Sequence, residues 1–231
     1  MSQAVIHLGG SIVCPDEIKT GFLKDFRNFI FQKIENSWQF VIVIGGGGLS
    51  RRYQRAAAKI VPQVNDEDKD WLGIHATRMN GHLLRTIFKE VANPVIFDER
   101  FKIKSFDDYP LIIASGWRPG WSTDFVAAQI AADFGIKEVI ILSKPDYIYS
   151  DVKEEGGRFV LQGKPIEKMS WSDYLKMIPQ HWQPGMHVPI DPVAARLAKD
   201  YSLKFIVANG RELDNFKSIL IGESFRGTVV E

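Results

Sequence analysis

Residues 40–53 read FVIVIGGGGLSRRY, and this stretch decides the fold. The apolar residues 40–44 form a continuous run, which is typical of a strand covered on both faces, as in a parallel sheet. Glycines follow at 45–48, and a helical pattern begins near Leu49. A turn without Cβ atoms lets backbone N–H groups approach an anion, and a helix start adds unpaired donors. The stretch predicts a strand, a turn and a helix, in which the turn either binds an anion or simply turns the chain tightly.

The same kind of apolar run recurs along the chain and alternates with helical spacing. Further runs occupy residues 4–8, 111–114, 138–142 and 205–208. Apolar residues recur at helical intervals in the segments 22–34, 66–91, 125–134, 192–201 and 213–221. Strands that alternate with helices predict an α/β protein in which helices cover a mostly parallel central sheet.

One segment, residues 147–165, interrupts this alternation. Short apolar stretches at 147–149 and 159–161 flank a polar stretch at 153–157, which predicts a β-hairpin excursion before the next helix. The sequence has no internal repeat and no Pro- or Ser-rich linker. We therefore expect residues 1–231 to form a single domain with the hairpin as an insertion. The alternative is a domain boundary beside the hairpin.

The composition excludes several classes of protein. Of the 231 residues, 45% are hydrophobic and 25% are charged, and 29 basic against 28 acidic residues give a net charge of +1. This balance argues against a general binder of nucleic acids or membranes. The single cysteine, Cys14, can form neither an intrachain disulfide nor a cysteine-based zinc site. The sequence shows no signal-peptide pattern and no apolar run near the ~20 residues of a membrane span, so we expect a soluble, cytoplasmic protein.

A second glycine turn follows the first apolar run. Gly9, Gly10 and Ser11 come directly after residues 4–8. Neither turn matches a known phosphate fingerprint, because GxxxxGK[S/T] is absent and residues 45–50 lack the third glycine of GxGxxG. Each turn alone is more typical of a tight reversal after a buried strand. Two such turns on neighbouring early strands favour a polyphosphate ligand.

Three other groups of residues have two possible roles each. Residues 122–124, which read STD, can cap the alanine-rich helix that follows or grip a phosphate. Asp191 precedes Pro192, so its carboxylate can cap a helix or organise cations around transferring phosphates. The arginines within residues 51–55 form either a solvated helix face or a phosphate clamp.

Taken in order, these segments resemble the amino-acid kinase superfamily, and most closely its archaeal-type uridylate (UMP) kinases, over nearly the whole chain. The segments are LGGS at 8–11, VIGGG at 43–47 with LSRRY at 49–53, DWLGIHATRMN at 70–80, PGWSTD at 119–124 with AA at 127–128, DYIY at 146–149, IDPVAA at 190–195 and GT at 227–228. The resemblance implies a three-layer α/β/α fold, nucleotides as ligands and assembly as a hexamer. It also implies transfer of a phosphoryl group from ATP to UMP, with magnesium, to give ADP and UDP.

The resemblance further implies roles for individual residues, with acceptor features mainly in 1–135 and donor features mainly in 136–231. The catalytic set is Gly10, Ser11, Lys144 and Asp191. The set around the ATP is Gly9, Gly10, Ser11, Lys144, Asp146 and Tyr149. The set around the acceptor is Gly45, Gly46, Gly47, Arg51, Asp70, Gly120 and Thr123. Within it, Arg51 would bind the acceptor phosphate through its fork-like guanidinium, Asp70 the ribose, and Thr123 the base or phosphate side. No residue is assigned to the metal.

Some positions depart from the family pattern. His7 stands where many members have a lysine, although the archaeal-type branch also lacks that lysine, and a neutral imidazole neutralises a phosphate poorly. A histidine on a strand is more often packed than catalytic, and Lys144 can supply the cation instead. Residues 143–147, SKPDY, replace the usual threonine, variable, valine, aspartate, glycine. Three bulky tryptophans are further departures from the family pattern: Trp117, Trp121 and Trp182. Each can belong to the core, to a subunit interface or to a reshaped pocket.

Two other functions fit the same fold. One is a kinase that acts on another small phosphate, carboxylate or alcohol acceptor. The other is a non-catalytic store for nucleotides or oxyanions, because molybdenum storage proteins resemble uridylate kinases in fold. Its candidate ligands would be His75, His82, His181 and His187, although scattered histidines are more often unliganded. Turnover of UMP separates these possibilities.

Overall fold

A mostly parallel sheet forms the centre of the computed structural model, which describes residues 1–155, 158–180 and 188–231, except for the side chains of 152–161. The strands are β1 (Ser2–Leu8), β2 (Trp38–Ile44), β3 (Leu111–Ala114), β4 (Glu138–Ser143), β5 (Ile148–Glu155), β6 (Arg158–Ile166), β7 (Lys168–Met169), β8 (Lys204–Asn209) and β9 (Thr228–Val230). Seven of them form the central sheet in the order β3-β2-β1-β4-β8-β9-β7. Its strands pair in parallel except for the antiparallel pair β8 and β9, while β5 and β6 form a separate antiparallel hairpin.

Helices cover both faces of this sheet. The helices in the described residues are α1 (Gly10–Val13), α2 (Thr20–Glu35), α3 (Gly47–Ile60), α4 (Asp66–Ile87), α5 (Thr123–Phe134), α6 (Trp171–Met177), α7 (Pro192–Asp200) and α8 (Leu213–Ile221). One apolar core lies between the sheet and α5, α6 and α7, and a second lies between the sheet and α2, α4 and α8. Alternate residues of β1 divide between the cores: Ile6 and Leu8 belong to the second, and Val5 to the first. The result is a three-layer α/β/α fold. None of the described helices is both long and apolar enough to span a membrane.

The apolar runs predicted as strands are all strands of the sheet, and the predicted hairpin is β5 with β6. The tip of the hairpin at 156–157 lies outside the described residues. The helix predicted over 66–91 ends earlier, at Ile87, where Phe88 forms the C-cap. The periodicity did not indicate α1, α6, β7 or β9. These elements are short, with two to seven residues each, and therefore carry too few positions for a pattern.

The strand order places the glycine turns at the point where the chain changes direction across the sheet. From β1 the chain adds β2 and then β3 on one side, and later β4 and β8 on the other. In open α/β sheets, ligands bind outside the carboxyl ends of the strands at this switch point. The segments that leave the carboxyl ends of β1, β2 and β4 begin with Gly9, Gly45 and Lys144. The topology alone therefore predicts a ligand site at this edge of the sheet.

Candidate active site at the carboxyl edge of the sheet

The two glycine turns lie in direct backbone contact. A Cβ atom added to Gly10 would lie 2.2 Å from the backbone nitrogen of Gly47, and one added to Gly47 would lie 2.3 Å from the carbonyl oxygen of Gly10. Gly47 also has a φ of +63°, in the left-handed region that favours glycine. No side chain fits between these turns, so their backbone groups line the edge of the sheet together. The sequence predicted both turns, and the structure brings them together.

Helix α3 begins directly at the second turn and lacks a side-chain cap. Its N-cap is Gly46, no side chain accepts a hydrogen bond from its first N–H groups, and its first turn contains no acidic residue. In contrast, Ser122 caps α5 and Asp191 caps α7 with their side chains. The Gly48 N–H donates to the carbonyl oxygen of Cys14 at 2.7 Å, so the N–H groups of Gly47 and Leu49 and the positive end of the α3 dipole are what remains available to an anion.

A cleft of about 550 Å³ opens in front of these turns. Its described lining consists of Ser11, Asp16, Arg51, Gln54, Arg55, Ala58, Lys69 and Lys144. Four of these residues are cationic and one is acidic, so the cleft favours anionic ligands. The guanidinium of Arg51 donates to the carbonyl oxygen of Pro15 at 3.2 Å, and that of Arg55 donates to the carbonyl oxygen of Arg51 at 3.1 Å. These contacts hold the arginines in place and leave their charges without a carboxylate partner in the described residues.

Helix α4 positions the turns and the loop that precedes α5. The side-chain amide of Asn80 donates to the carbonyl oxygen of Gly45 at 2.9 Å, and the Thr77 hydroxyl accepts from the backbone N–H of Gly116 at 2.8 Å. Both side chains are buried. Both residues stand within the motif at 70–80, but the sequence predicted no role for them. Their positions, one helical turn apart on the inner face of α4, would have been the signal.

Asp70 lies beside Lys69 and holds the same loop. Its Oδ2 accepts from the backbone N–H of Gly120 at 2.9 Å. Burial raises the pKa of the Asp70 carboxyl, although the Gly120 hydrogen bond acts in the opposite direction. The structure therefore brings together Asp70 and Gly120, two residues that the resemblance assigned to the acceptor.

A polar cluster lies behind the first glycine turn, where β1 meets the starts of α5 and α7. His7 Nε2 is 2.9 Å from Thr123 Oγ1, and His7 Nδ1 is 2.7 Å from Asp124 Oδ1. The Ser122 hydroxyl donates to Asp191 Oδ2, which links the two helix starts. The sequence did not decide whether His7 is packed or functional. In the structure it has two polar partners, one of which, Thr123, is a predicted acceptor residue.

Asp191 combines capping with an unusual charge state. Its Oδ1 accepts from the backbone N–H groups of Val193 at 2.8 Å and Ala194 at 3.0 Å, so the predicted capping role is present. Burial, and then the nearby charge of Asp124, raise the pKa of Asp191 to about 6, while the hydrogen bond from Ser122 opposes the shift. A buried carboxyl with a raised pKa at this edge of the sheet is a candidate functional group.

Of the six residues predicted for ATP, only Ser11 and Lys144 belong to the described lining of the cleft. Asp146 Oδ1 accepts from the side-chain amide of Asn209 at 2.8 Å, and Tyr149 is a half-buried residue of β5. Of the added tryptophans, Trp117 is core, because it is 5% exposed and donates to the carbonyl oxygen of Phe97. Trp121 carries the guanidinium of Arg118 over its ring at 4.2 Å. Trp182 lies outside the described residues.

The described residues contain no group of three or more His, Cys, Asp or Glu side chains that could hold a metal ion. His75 and His82 are exposed residues of α4, and His181 and His187 lie outside the described residues. The described carboxylates therefore do not form a magnesium cage. Magnesium that enters with ATP would be held largely by phosphates and water, and would usually need only one or two protein carboxylates.

The fold and this edge define an α/β protein with a cationic cleft beside two glycine turns at a topological switch point. Residues 2–209 match the model of the amino acid kinase family, so the chain belongs to that family. It is 29% identical over 233 residues to a uridylate kinase of Methanocorpusculum labreanum, with 100% of this chain and 96% of the relative covered. It is 27% identical over 220 residues to a uridylate kinase of Hyperthermus butylicus, with 95% and 94% covered. The crystal structure of a uridylate kinase from Archaeoglobus fulgidus superimposes with a TM-score of 0.76 at 25% identity, with 100% of both chains covered.

Proposed function

We propose that this protein transfers the γ-phosphoryl group of magnesium-bound ATP to UMP, giving ADP and UDP. The observation that carries the proposal is the pair of glycine turns in backbone contact beneath a cleft with four cationic side chains. The full-length similarity to proteins named uridylate kinase supports UMP as the acceptor. We infer the residue roles below from the cleft geometry together with the resemblance.

The acceptor side of the cleft suits a nucleoside monophosphate. The uncapped N-terminus of α3, the backbone of Gly45, Gly46 and Gly47, and the guanidinium of Arg51 would bind the acceptor phosphate. Asp70 would accept hydrogen bonds from the ribose hydroxyls, and Gly120 and Thr123 would contact the acceptor from the opposite loop. A phosphate monoester is mostly dianionic at pH 7, because its second pKa is about 6. An acceptor oxygen can therefore attack without a general base.

The donor side would contribute charge and orientation. An oxygen of the UMP phosphate attacks the γ-phosphorus, and the bond to the bridging oxygen of ADP breaks, so transfer depends on alignment and charge neutralisation. Gly9, Gly10 and Ser11 would hold the transferring group, and Lys144 would balance charge on the leaving phosphates. Asp146 and Tyr149 would border the adenosine. Asp191 would orient the starts of α5 and α7 through Ser122.

The test is a coupled assay of ADP release with purified protein, ATP, magnesium and a panel of UMP, CMP, dUMP, AMP and GMP. We expect strong turnover with UMP and weak turnover with the purine nucleotides. Reduced turnover with dUMP would support Asp70 as the ribose contact. An absence of turnover with every nucleotide, from protein that unfolds cooperatively, would contradict the proposal and favour another acceptor or a binding role.

We also propose that the protein acts as a homo-oligomer, a hexamer by the family resemblance, in the cytoplasm. Exposed apolar side chains on α3 and α4 support association, since Tyr53, Ile60 and Met79 are 57%, 79% and 65% exposed. Light scattering coupled to size-exclusion chromatography measures the mass directly. A monomer of 26.2 kDa at assay concentrations would contradict the expected assembly.

A further inference from the structure

His7 occupies a position that the proposed reaction does not yet use. It lies near the carboxyl end of β1, two residues before Gly9, and it is 8% exposed. Its ring lies between two residues of the first turn of α5, Thr123 and Asp124. Thr123 is half-buried and belongs to the predicted acceptor set. His7 therefore contacts Thr123, a residue predicted to bind the acceptor, without itself belonging to the predicted acceptor set.

The distances restrict where the protons of this cluster can lie. At 2.7 Å, an unprotonated Nδ1 of His7 would set its lone pair against the carboxylate Oδ1 of Asp124, so the ring carries a proton on Nδ1. The ring N–H is not aligned well enough for a hydrogen bond, so the contact is mainly electrostatic. With Nδ1 protonated in a neutral ring, Nε2 can only accept, and the Thr123 hydroxyl must donate to it. In that state the hydroxyl hydrogen of Thr123 cannot also donate to a ligand.

The charged groups around this ring are carboxylates. Across the sheet, its neighbours in register are Val43 and Ile141, which carry no charge. On the packed helices, the titratable groups that lie together at this point are Asp124 on α5, Asp191 at the start of α7 and the buried Tyr174 on α6. Burial, and then the charge of Asp124, raise the pKa of Asp191, so the two carboxylates are close enough to disfavour each other's ionisation.

We propose that His7 is a positioning residue that takes up a proton from solvent when the acceptor phosphate binds. In the imidazolium, Nε2–H donates to Thr123 Oγ1 and Nδ1–H faces Asp124. The Thr123 hydroxyl is then free to donate to a phosphate oxygen. The ring thus converts Thr123 into a donor and adds positive charge behind the phosphate. This inference rests on the proposed function, because the anion it serves is the phosphate of UMP.

The direct test is nuclear magnetic resonance of protein labelled with nitrogen-15 in its histidines, with and without UMP. The ring nitrogen shifts distinguish the two neutral tautomers from the imidazolium, and the His7→Gln variant assigns the signals. We expect the Nδ1-protonated tautomer in the free protein at about pH 8 and the imidazolium after addition of UMP. In the Asp124→Asn variant, we expect UMP to leave the ring neutral.

A second test uses calorimetric titration of UMP between about pH 7 and pH 9, where the charge of the UMP phosphate no longer changes. We expect the wild-type affinity to fall as pH rises, because protonation of the ring becomes unfavourable. Glutamine at position 7 keeps a donor at the place of Nε2 but cannot titrate. His7→Gln should therefore weaken binding about 10-fold at the lower pH, as for loss of a charge-assisted hydrogen bond, and abolish the pH dependence. His82→Gln, the same change at an exposed position of α4, should leave both unchanged.

The outcomes separate this inference from the proposed function. If UMP binds but the His7 ring stays neutral, or if the pH dependence survives in His7→Gln, the coupling is wrong while the kinase proposal stands. If UMP neither binds nor turns over in the wild type, the proposed function and the coupling both fail. If His7→Gln does not fold, the ring nitrogen shifts of the wild type still decide. Protonation of the ring on UMP binding, lost in Asp124→Asn, supports the inference.

Discussion

Replacement of Asp191 by asparagine separates the charge of this side chain from its capping role. Asparagine caps helix starts as well as aspartate does, and its side-chain oxygen can keep the bonds from Val193 and Ala194. What the variant removes is a buried negative charge beside Asp124. A purely structural cap predicts little change in activity, whereas an organiser of the transferring phosphates requires the charge.

The effect on stability follows from the raised pKa. The pKa of Asp191 is about 6 in the folded protein against an ordinary value of 3.8, so the ionised form destabilises the fold by about 3 kcal/mol above pH 6. This cost shrinks as pH falls from about 6 and is absent below 3.8, where the folded and unfolded states are both protonated. Asparagine avoids the cost, but it weakens the charge-assisted bond from Ser122 by about 1 to 2 kcal/mol. The net gain is about 1 to 2 kcal/mol near pH 7.5.

We therefore expect Asp191→Asn to raise the Tm by about 3 to 6 °C near pH 7.5 and to leave it unchanged near pH 4. We expect kcat for UMP to fall about 100-fold, as when a preorganised charge is lost from an active site. The measurements are differential scanning calorimetry across this pH range and the ADP-release assay. A lower Tm at pH 7.5 together with near-normal kcat would refute both the buried-charge argument and the catalytic role.

Asp173 provides a control with the opposite sign. It is exposed at the start of α6, and the bonds from Lys176 and then Ser170 lower the pKa of its carboxyl. A lowered pKa stabilises the fold at neutral pH and is lost on acidification. Asp173→Asn should therefore lower the Tm slightly near neutral pH and leave kcat unchanged. If Asp191→Asn raises the Tm and Asp173→Asn lowers it, burial of the carboxylate decides the sign of the Tm shift.

Three further variants test the cleft. Arg51→Ala should raise the KM for UMP about 100-fold, because a charged contact to the phosphate is lost. Arg52 is an exposed neighbour outside this cleft, so Arg52→Ala should change the KM less than about twofold. An equal effect of both variants would remove Arg51 from the site. Gly10→Ala should unfold the protein or lower its Tm sharply, because the added Cβ would lie 2.2 Å from a backbone atom. In the same melting experiment, Gly21→Ala in α2, where the added Cβ has nothing within 4 Å, should stabilise the protein by about 0.5 to 1 kcal/mol. Lys144→Met should raise the KM for ATP and leave the binding of UMP in calorimetry unchanged; weaker UMP binding would place Lys144 on the acceptor side.

The sequence predicted the elements whose physics is local. Continuous apolar runs such as 40–44 are typical of strands buried on both faces, and glycines directly after them indicate a turn. Because parallel strands end at the same edge, two such turns on neighbouring strands had to lie close together, and the structure places Gly10 against Gly47. The edge that carries the candidate site was therefore predictable from local pattern and strand direction.

The rest depends on how separate segments pack. Asn80 lies within a helix and looks like an ordinary polar position until α4 places it against the carbonyl oxygen of Gly45. His7 gains its role only because α5 begins beside β1, a contact between residues 116 positions apart. The short strands β7 and β9 form because the chain end returns to the sheet edge, which no local pattern records. Polar contacts of this kind have no periodicity to detect.

The end of β4 is held in place by the segments that follow the two neighbouring strands. The backbone N–H of Gly9 donates to the carbonyl oxygen of Leu142 at 2.8 Å, and Gly210 packs against Leu142 from the next strand, so the end of β4 is held on both sides. The segment 143–147, where the sequence departs most from the family pattern, begins just beyond this point. Substitutions such as Tyr147 can therefore alter contacts to the donor nucleotide without disturbing the glycine turns. We therefore expect the choice of phosphoryl donor to be more easily altered than the binding of the acceptor phosphate. Turnover measured with a panel of nucleoside triphosphates, at a constant concentration of UMP, would show whether a donor other than ATP is used.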